Sequence, residues 1–199
     1  MSRSRMVISL LAIASLSATF AVAQNQAIKE GTGHERQGFW IGFGLGWGSG
    51  GASCDGTCPD RFGGATFRFA LGGTVNRHVK IGGELHGWSN TNDPGVTESI
   101  GNVTGSVYYY PSASGNFFLQ GGLGYSAYNY DDNVDKAEAY GAGSIIGIGY
   151  DIYLGRKFSL TPILAYGAAW TGELTLNGSG TGANFRPNFV SLTINPTWH

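Results

Sequence analysis

The four histidines are the residues around which a hydrolytic site could be built, because a nucleophile needs a base beside it and histidine titrates near neutral pH. His34 falls in a polar N-terminal segment, His78 in a short turn and His199 at the chain end. His86 falls within a predicted strand. No Ser/His/Asp array can be assembled around these positions from the sequence, which therefore predicts a protein that is not an enzyme.

Two short motifs have the spacing of a cofactor or metal site, and both are incomplete. The glycines of Gly141–Gly147 resemble a dinucleotide fingerprint, but no helical pattern follows them. Asp131–Asp135 has the spacing that opens a calcium loop, yet Lys136 stands where that loop needs glycine. We expect strand glycines in the first case and a solvated acidic loop in the second, where calcium binding stays open. The sequence predicts no cofactor.

The composition is that of a β protein rich in glycine and aromatic residues. Glycine supplies 34 of 199 residues, more than twice the usual share of about 7%. Charged residues make up 13% of the chain, against about 25% in typical globular proteins. Lysine and arginine total 12 while aspartate and glutamate total 13, so the basic surplus of a nucleic-acid binder is missing. We expect no nucleic-acid partner.

Residues 1–23 predict a cleaved secretory signal peptide. Arg3 and Arg5 form a basic start, and an apolar run follows from Met6 to Leu16. Ala21-Val22-Ala23 then supplies a cleavage site of small residues. The apolar run is too short for a helix that spans a membrane, so we expect the chain to be exported.

Cys54 and Cys58 are the two cysteines of the chain, and three residues separate them. Two thiols are too few for a structural zinc site. An exported chain meets an oxidising compartment, so we expect a small disulfide between Cys54 and Cys58 in the first long loop.

Alternation with period two runs from residue 39 to the end of the chain and predicts eight strands. One face of the first strand carries Phe39, Ile41, Phe43, Leu45 and Trp47. The predicted strands cover about residues 39–48, 65–75, 79–88, 103–110, 117–128, 140–154, 158–170 and 188–198. Long connections at 49–62, 89–97, 129–138 and 171–187 alternate with short turns at 76–78, 111–116 and 155–157. This alternation is typical of an up-and-down outer-membrane barrel with short periplasmic turns and long outer loops.

The polarity of the two strand faces favours a barrel in a membrane over a water-soluble one. The continuous face is aromatic and aliphatic, whereas the opposite face alternates glycine with polar residues. A closed barrel is the only β structure that satisfies every backbone group in lipid. The predicted fold class is therefore all-β: an eight-stranded antiparallel up-and-down transmembrane β-barrel. We divide the chain into the signal peptide (1–23), a flexible lead-in (24–37) and the barrel domain (38–199).

Five charged or titratable residues fall on the inward face of the predicted strands. They are Arg68, Lys80, Glu84, His86 and Asp151. An unpaired charge in a narrow lumen is costly, so we expect an ionic cluster that closes the lumen. The alternative is that these residues only hydrate a small polar core.

The register of the second and third strands decides which of these charges meet. If residues 76–78 form a three-residue turn, Val75 pairs with Val79. The same register places Arg68 opposite His86 and diagonal to Glu84, within reach of a long side chain. Lys80 and Asp151 both fall near the periplasmic end, where they can meet across the barrel.

With these features the chain resembles the small eight-stranded outer-membrane β-barrels, the group of the OmpA transmembrane domain and OmpX. The marks of the resemblance are the 39–48 strand, the 120–125 segment and the closing strand. The resemblance implies that the barrel-assembly machinery recognises the closing strand through alternating apolar residues and a terminal aromatic, here Val190, Leu192, Ile194 and Trp198. The chain departs from the pattern at Pro196, which is expected to interrupt the strand, and at His199, which follows the aromatic.

The resemblance implies a bacterial outer-membrane location, contact with outer-membrane lipid and lipopolysaccharide, and a monomer. The leading function is a non-catalytic integral barrel that serves envelope integrity or surface interaction through its outer loops. The first alternative is a narrow, porin-like channel. The second is a lipid A-modifying enzyme; the deacylases of this kind use a His-x-Ser pair, and none of the histidines here is followed by serine at that spacing.

Overall fold

Strands with one apolar face and one small or polar face form the wall of a closed antiparallel barrel. The computed structural model describes residues 36–54, 60–91, 95–170 and 173–199. Within them the chain forms β1 (Phe39–Cys54), β2 (Phe62–Asn76), β3 (Val79–Thr91), β4 (Thr97–Tyr109), β5 (Phe117–Asp131), β6 (Lys136–Tyr150), β7 (Ile152–Tyr153), β8 (Phe158–Ala169), β9 (Glu173–Leu176) and β10 (Ser179–Trp198). The signal peptide, most of the lead-in, Cys58 and the side chain of Cys54 lie outside the described residues, and with them the predicted disulfide.

Strands at eight positions around the wall form a closed barrel, which confirms the predicted fold class. Each strand from β1 to β6 pairs antiparallel with the next, β6 pairs with β8 and β8 with β10, and β1 pairs with β10 to close the sheet. The short β7 extends β6 and pairs with β8. The short β9 extends β8 and pairs with both β6 and β10. We call the end where β1 begins and β10 ends the periplasmic end, and the opposite end the outer end. None of the described residues forms a helix that is long and apolar enough to cross a membrane.

The predicted sixth strand, residues 140–154, is wrong as one unbroken element. β6 ends at Tyr150, and Asp151 leaves the ladder before β7 begins. The Asp151 backbone N–H donates to the Asn116 carbonyl oxygen at 2.9 Å. This bond lies in the same register as the β5–β6 ladder, and the Asp151 side chain is buried in the lumen.

The prediction of a long loop at 171–187 is also wrong, because most of this segment is β9 and the start of β10. The two strands form a hairpin whose turn residues, Asn177 and Gly178, both have positive φ. Asn-Gly is the preferred pair for such a tight turn. β6 and β10 extend beyond the outer end of β8, and β9 pairs with both of them there. Edge strands with unpaired backbone groups are thereby avoided.

The other outer connections are shorter than predicted as well. β1 contains 16 residues and β5 and β6 contain 15 each, whereas about 9–11 residues cross the hydrocarbon core at a tilt. Only four residues, 132–135, separate β5 from β6. The outer ends of the strands therefore continue past the membrane as paired hairpins.

The turn between β2 and β3 differs from its prediction by one residue. Asn76, not Val75, pairs with Val79, and Val75 is a bulge. The Asn76 side-chain oxygen accepts the N–H of His78 at 2.8 Å, which stabilises a two-residue turn. Beyond the bulge the ladder returns to the expected register, and Arg68 lies opposite His86.

The lipid-facing and lumen-facing sides follow the predicted alternation. Large apolar residues point outward along all the wall strands, and Leu45 is 71% exposed. The inward face carries buried polar residues together with Trp40, Trp88 and Tyr108. Inward glycine makes room for these rings, since a Cβ at Gly50 would lie 2.5 Å from the Trp88 ring. A broad exposed apolar surface around a polar interior is the arrangement of a transmembrane barrel.

We predict that Phe43→Arg lowers the unfolding free energy by about 2–4 kcal/mol in lipid vesicles, because Phe43 lies outward in the middle of the apolar part of β1. The control is Val134→Arg in the outer β5–β6 turn. Val134 is 84% exposed, and a charge there should change stability by less than about 0.5 kcal/mol. Urea titration of both variants measures the difference, and equal costs would contradict the assigned faces.

Candidate functional site in the barrel lumen

Glu84 is the centre of a charged layer halfway along the lumen. Arg68 Nε lies 2.8 Å from Glu84 Oε1, and Arg68 Nη2 donates to Oε2 at 3.3 Å. The Tyr108 hydroxyl donates to the same Oε2 at 2.6 Å, and Gln120 Nε2 donates to it at 2.5 Å. Donors from β2, β4 and β5 therefore converge on one carboxylate carried by β3. All four side chains are buried.

The same layer also reaches past β1 to β10. Arg68 Nη1 donates to Asn195 Oδ1 at 3.4 Å, and Asn195 Nδ2 donates to the Thr161 carbonyl oxygen at 3.0 Å. Asn195 lies on β10 and Thr161 on β8. The guanidinium of Arg68 thus links Glu84 on β3 to Asn195 on β10, on the other side of β1.

His86 extends the layer toward the outer end in an arrangement that the sequence does not predict. His86 Nδ1 lies 3.5 Å from Glu84 Oε1, and His86 Nε2 lies 3.0 Å from Ser191 Oγ. Carboxylate, imidazole and hydroxyl follow each other in the order of a hydrolytic triad. His86 Nδ1 nevertheless makes no hydrogen bond, so the three side chains are not joined as a triad. The sequence does not reveal the contact of Ser191 with His86 because 105 positions separate them. The two residues meet only when β10 pairs with β1.

The Glu84–His86–Ser191 array is enclosed. Ser191 is 1% exposed, and both His86 and Glu84 are buried. The Phe189 ring packs edge-on against the imidazole with centroids 5.1 Å apart. A nucleophile needs space for its substrate beside the hydroxyl oxygen, and here packed side chains fill that space.

A second charged layer lies nearer the periplasmic end. Lys80 Nζ lies 3.8 Å from Asp151 Oδ2. The Tyr110 hydroxyl donates to Asp151 Oδ2 at 2.8 Å, and the Thr161 hydroxyl donates to Asp151 Oδ1 at 2.8 Å. Lys80 on β3 and Asp151 after β6 thus meet across the lumen, and both oxygens of the Asp151 carboxylate accept hydrogen bonds.

His199 caps this second layer. Its Nδ1 lies 3.3 Å from Lys80 Nζ and its Nε2 lies 2.9 Å from Ser159 Oγ. Burial and the nearby Lys80 cation lower the pKa of His199 to about 4, so the imidazole is neutral at pH 7. The residue that departs from the family's terminal aromatic pattern therefore contributes to the periplasmic end of the lumen network.

Arg36 closes the periplasmic mouth, although the sequence assigns it to the flexible lead-in. Its Nη1 donates to the carbonyl oxygens of Arg77 at 3.2 Å and Ala113 at 3.0 Å, and its Nη2 donates to that of Gly115. The guanidinium lies 3.6 Å from the centre of the Tyr110 ring, a cation–π contact. Arg36 is 5% exposed, so this part of the lead-in is anchored between two periplasmic turns.

Aromatic packing fills the lumen around the two charged layers. One cluster includes Trp40, Tyr108, Tyr110 and Phe118, with Trp40 edge-on to Tyr108. A second cluster near the outer end includes Trp88, Ile100, Tyr128 and Phe189. The cavity that Arg68, Lys80 and Asp151 help to line measures about 20 Å³, room for about one water molecule.

The closing strand keeps its alternation through the proline. Val190, Leu192, Ile194 and Trp198 point outward, and the Trp198 ring stacks on Phe43. Pro196 pairs in register with Leu160, and β10 continues to Trp198. The expectation that Pro196 interrupts the strand is therefore wrong. On the other side, ladder pairs with β1 skip from Ile194 to Thr197, where proline lacks the N–H that a pair would use.

The acidic motif at 131–135 is a compact turn whose carboxylates are used locally. Asp132 Oδ1 accepts the N–H groups of Val134 and Asp135, which hold the pKa of that carboxyl below its ordinary value. Asp131 pairs with Lys136 at 3.0 Å. Nowhere in the described part of the chain do three or more His, Cys, Asp or Glu side chains form a group suited to a metal ion.

Comparison with known proteins gives the fold. No protein-family model matches the chain, and no curated protein matches it significantly. The crystal structure of Neisserial surface protein A (NspA) matches with a TM-score of 0.52 at 15% identity, over 80% of this chain and 96% of that one. The attachment invasion locus protein Ail of Yersinia pestis matches with a TM-score of 0.51 at 11% identity, over 80% of this chain and 98% of that one.

The chain is thus a transmembrane β-barrel whose narrow lumen is filled by side chains. It has the fold of the small eight-stranded outer-membrane β-barrels, to which NspA and Ail also conform.

We predict that Glu84→Gln lowers the unfolding free energy by about 3–5 kcal/mol, because the buried Arg68 charge loses its partner. Arg68→Met should cost a similar amount. The double variant should cost clearly less than the sum, since neither charge is then left unpaired. Urea titration in lipid vesicles measures all three.

The control for this cycle is the exposed pair of Lys136 with Asp131 on the outer hairpin. Lys136→Gln should cost no more than about 1 kcal/mol. Additive costs at Arg68 and Glu84 would show that the two side chains do not stabilise each other.

Proposed function

We propose that the chain is a non-catalytic integral protein of the bacterial outer membrane that presents rigid hairpins at the cell surface for envelope integrity or surface interaction. It is exported through the cleaved signal peptide 1–23, inserted by the barrel-assembly machinery and present as a monomer in contact with lipid and lipopolysaccharide. The observation that carries the proposal is the filled lumen, because a filled barrel leaves its outer surface as the part that meets other molecules.

The outer hairpins support a role in surface interaction because they are hydrogen-bonded to one another. Asn177 Nδ2 in the β9–β10 turn donates to Asp135 Oδ1 at 2.9 Å, and the Lys136 N–H donates to Asn177 Oδ1 at 2.9 Å. Asn133 Nδ2 donates to the Gly95 carbonyl oxygen before β4 at 2.9 Å. We call these three joined turns, at Gly95, 132–135 and 177–178, the crown. A surface that is ordered before binding loses less conformational entropy when a partner binds.

The two alternative functions have weaker support. A channel needs a continuous aqueous path, and the cavity between the charged layers holds about one water. An enzyme needs an accessible nucleophile, and Ser191 is enclosed beside His86. The Glu84–His86–Ser191 array therefore acts as packing and hydrogen bonding in the lumen.

We predict that the refolded protein gives little steady conductance in planar bilayers. Arg68→Gln and Glu84→Gln should each raise the conductance, because each breaks the buried ion pair that occupies the lumen. The exposed-pair variant Lys136→Gln is the control and should behave like the wild type. Large, steady wild-type channels that neither lumen variant changes would contradict closure and favour the channel.

We predict that the crown faces the outside of the cell. Val134→Cys in the β5–β6 turn should react with a membrane-impermeant maleimide on intact cells. Leu154→Cys, which is similarly exposed but lies at the periplasmic end, should react only after the outer membrane is permeabilised. The unmodified chain gives the background from Cys54 and Cys58. The reverse labelling pattern would contradict the proposed orientation and surface role.

A further inference from the structure

A depression of about 420 Å³ lies on the outward face of the barrel wall near the outer end. Its lining includes Ser53 on β1, Tyr166 and Ala168 on β8, Trp170 after β8, and Arg186 and Asn188 on β10. Strand pairing fixes their arrangement, because Ser53 is opposite Arg186 and Asn188 is opposite Ala168. We call this depression the outer-wall pocket. It faces away from the lumen and is separate from the charged layers.

A change in strand pairing forms the outer-wall pocket. Ladder pairs between β8 and β10 end at Ala168 with Asn188, and β10 pairs again with β9 at Asn184 with Glu173. The register shifts by one residue between these two points. Ala168 has a small side chain and is 9% exposed even though it points outward, so it forms the floor. The exposed rings of Tyr166, on β8, and of Trp170, just after β8, lie on either side of Ala168.

The outer side of the pocket is cationic and polar. Arg186 is exposed at its rim. The side chain of Arg61 packs over Gly51. Its Nη1 donates to Asn188 Oδ1 at 2.5 Å, and its Nη2 donates to the Ser49 carbonyl oxygen at 2.7 Å. Arg61 is thereby held against the same outward surface as Arg186. Two guanidinium groups on one small patch favour a phosphate, which Arg186 can bind through paired N–H donors and to which Arg61 adds a second positive charge.

The inner side of the pocket is apolar and continues into the lipid-facing belt. Tyr166 is opposite Val190 on β10, and Leu164 is opposite Leu192 one step further toward the membrane centre. These side chains are exposed to lipid. A molecule in the pocket therefore meets cations at the level of the headgroups and an apolar wall at the level of the acyl chains. That combination matches a lipid better than a soluble anion.

We propose that the outer-wall pocket binds a phosphate-bearing lipid of the outer leaflet, which in a bacterial outer membrane is lipopolysaccharide. Arg186 and Arg61 bind the phosphate of the glycolipid headgroup, and an acyl chain lies along Ala168 between the rings of Tyr166 and Trp170. The inference rests on the proposed outer-membrane location, and it adds a defined lipid site to that function.

The test measures binding of bis-phosphorylated lipid A to the refolded barrel in detergent by native mass spectrometry. Arg186→Gln should weaken binding by about fivefold, the usual effect of one cation near an anionic lipid surface. The double variant with Arg61→Gln should weaken it by about 25-fold. Arg156→Gln removes another exposed arginine, which lies at the periplasmic end, and should leave binding unchanged. Equal affinity in all these variants would overturn the proposal.

Further ligands identify which part of the lipid is recognised. Lipid A without phosphates should bind at least about tenfold more weakly, and Trp170→Ala should weaken the binding of intact lipid A. Equal binding of the dephosphorylated lipid would overturn the role of the arginines. Equal binding of inorganic phosphate would overturn the role of the acyl wall.

The surface-labelling experiment separates this proposal from the proposed function. Labelling of Val134→Cys on intact cells together with unchanged lipid A binding in Arg186→Gln would overturn the lipid site alone. Failure of that labelling would overturn the surface orientation, on which both proposals depend.

Discussion

A carboxylate buried in a narrow barrel must find its counter-charge inside the barrel, and Glu84 meets this constraint with four hydrogen bonds. Arg68, Tyr108 and Gln120 supply them from three other strands. Since desolvation of both charges is costly, such a pair persists only when its geometry is good and its other hydrogen bonds are made. The side chains around Glu84 therefore have one well-defined arrangement. Small inward residues nearby leave the space that these side chains occupy.

This constraint divides the barrel into regions with different roles. Outward apolar residues fit the hydrocarbon, and the lumen is taken up by the two charged layers and their aromatic clusters. The crown and the outer-wall pocket lie beyond or at the edge of the apolar belt. At both of these surfaces polar side chains face outward, and both lie at the outer end.

Much of the fold can be read from the sequence because a β-strand alternates its side chains with a period of two. This alternation alone assigns Arg68 and Glu84 to the lumen and Phe43 to lipid. Beyond the bulge at Val75 the strand pairing follows the predicted register, which places Arg68 opposite His86. The same alternation assigns Asp151 to the lumen, but it cannot show that β6 ends at Tyr150 just before it. The β9–β10 hairpin carries an Asn-Gly signal at 177–178, but its strands lack the strong apolar alternation of the others.

Contacts that depend on closure of the whole barrel are the least accessible to sequence reasoning. Ser191 meets His86 only because the last strand pairs with the first. Arg36 reaches the turns at Arg77 and Gly115 only after those turns are brought to one mouth. Neither residue belongs to a local motif. Their partners follow from the circumference of the barrel and the tilt of its strands.

The hydrogen bonds within the crown join three distant parts of the chain into one surface. Gly95, Asn133 and Asn177 are far apart in sequence, yet each holds its neighbour in place. An antibody raised against the folded protein would read a composite epitope that no linear peptide from a single hairpin reproduces. A substitution in one hairpin would also alter the shape that the other two present, so the antigenic surface would vary as a unit.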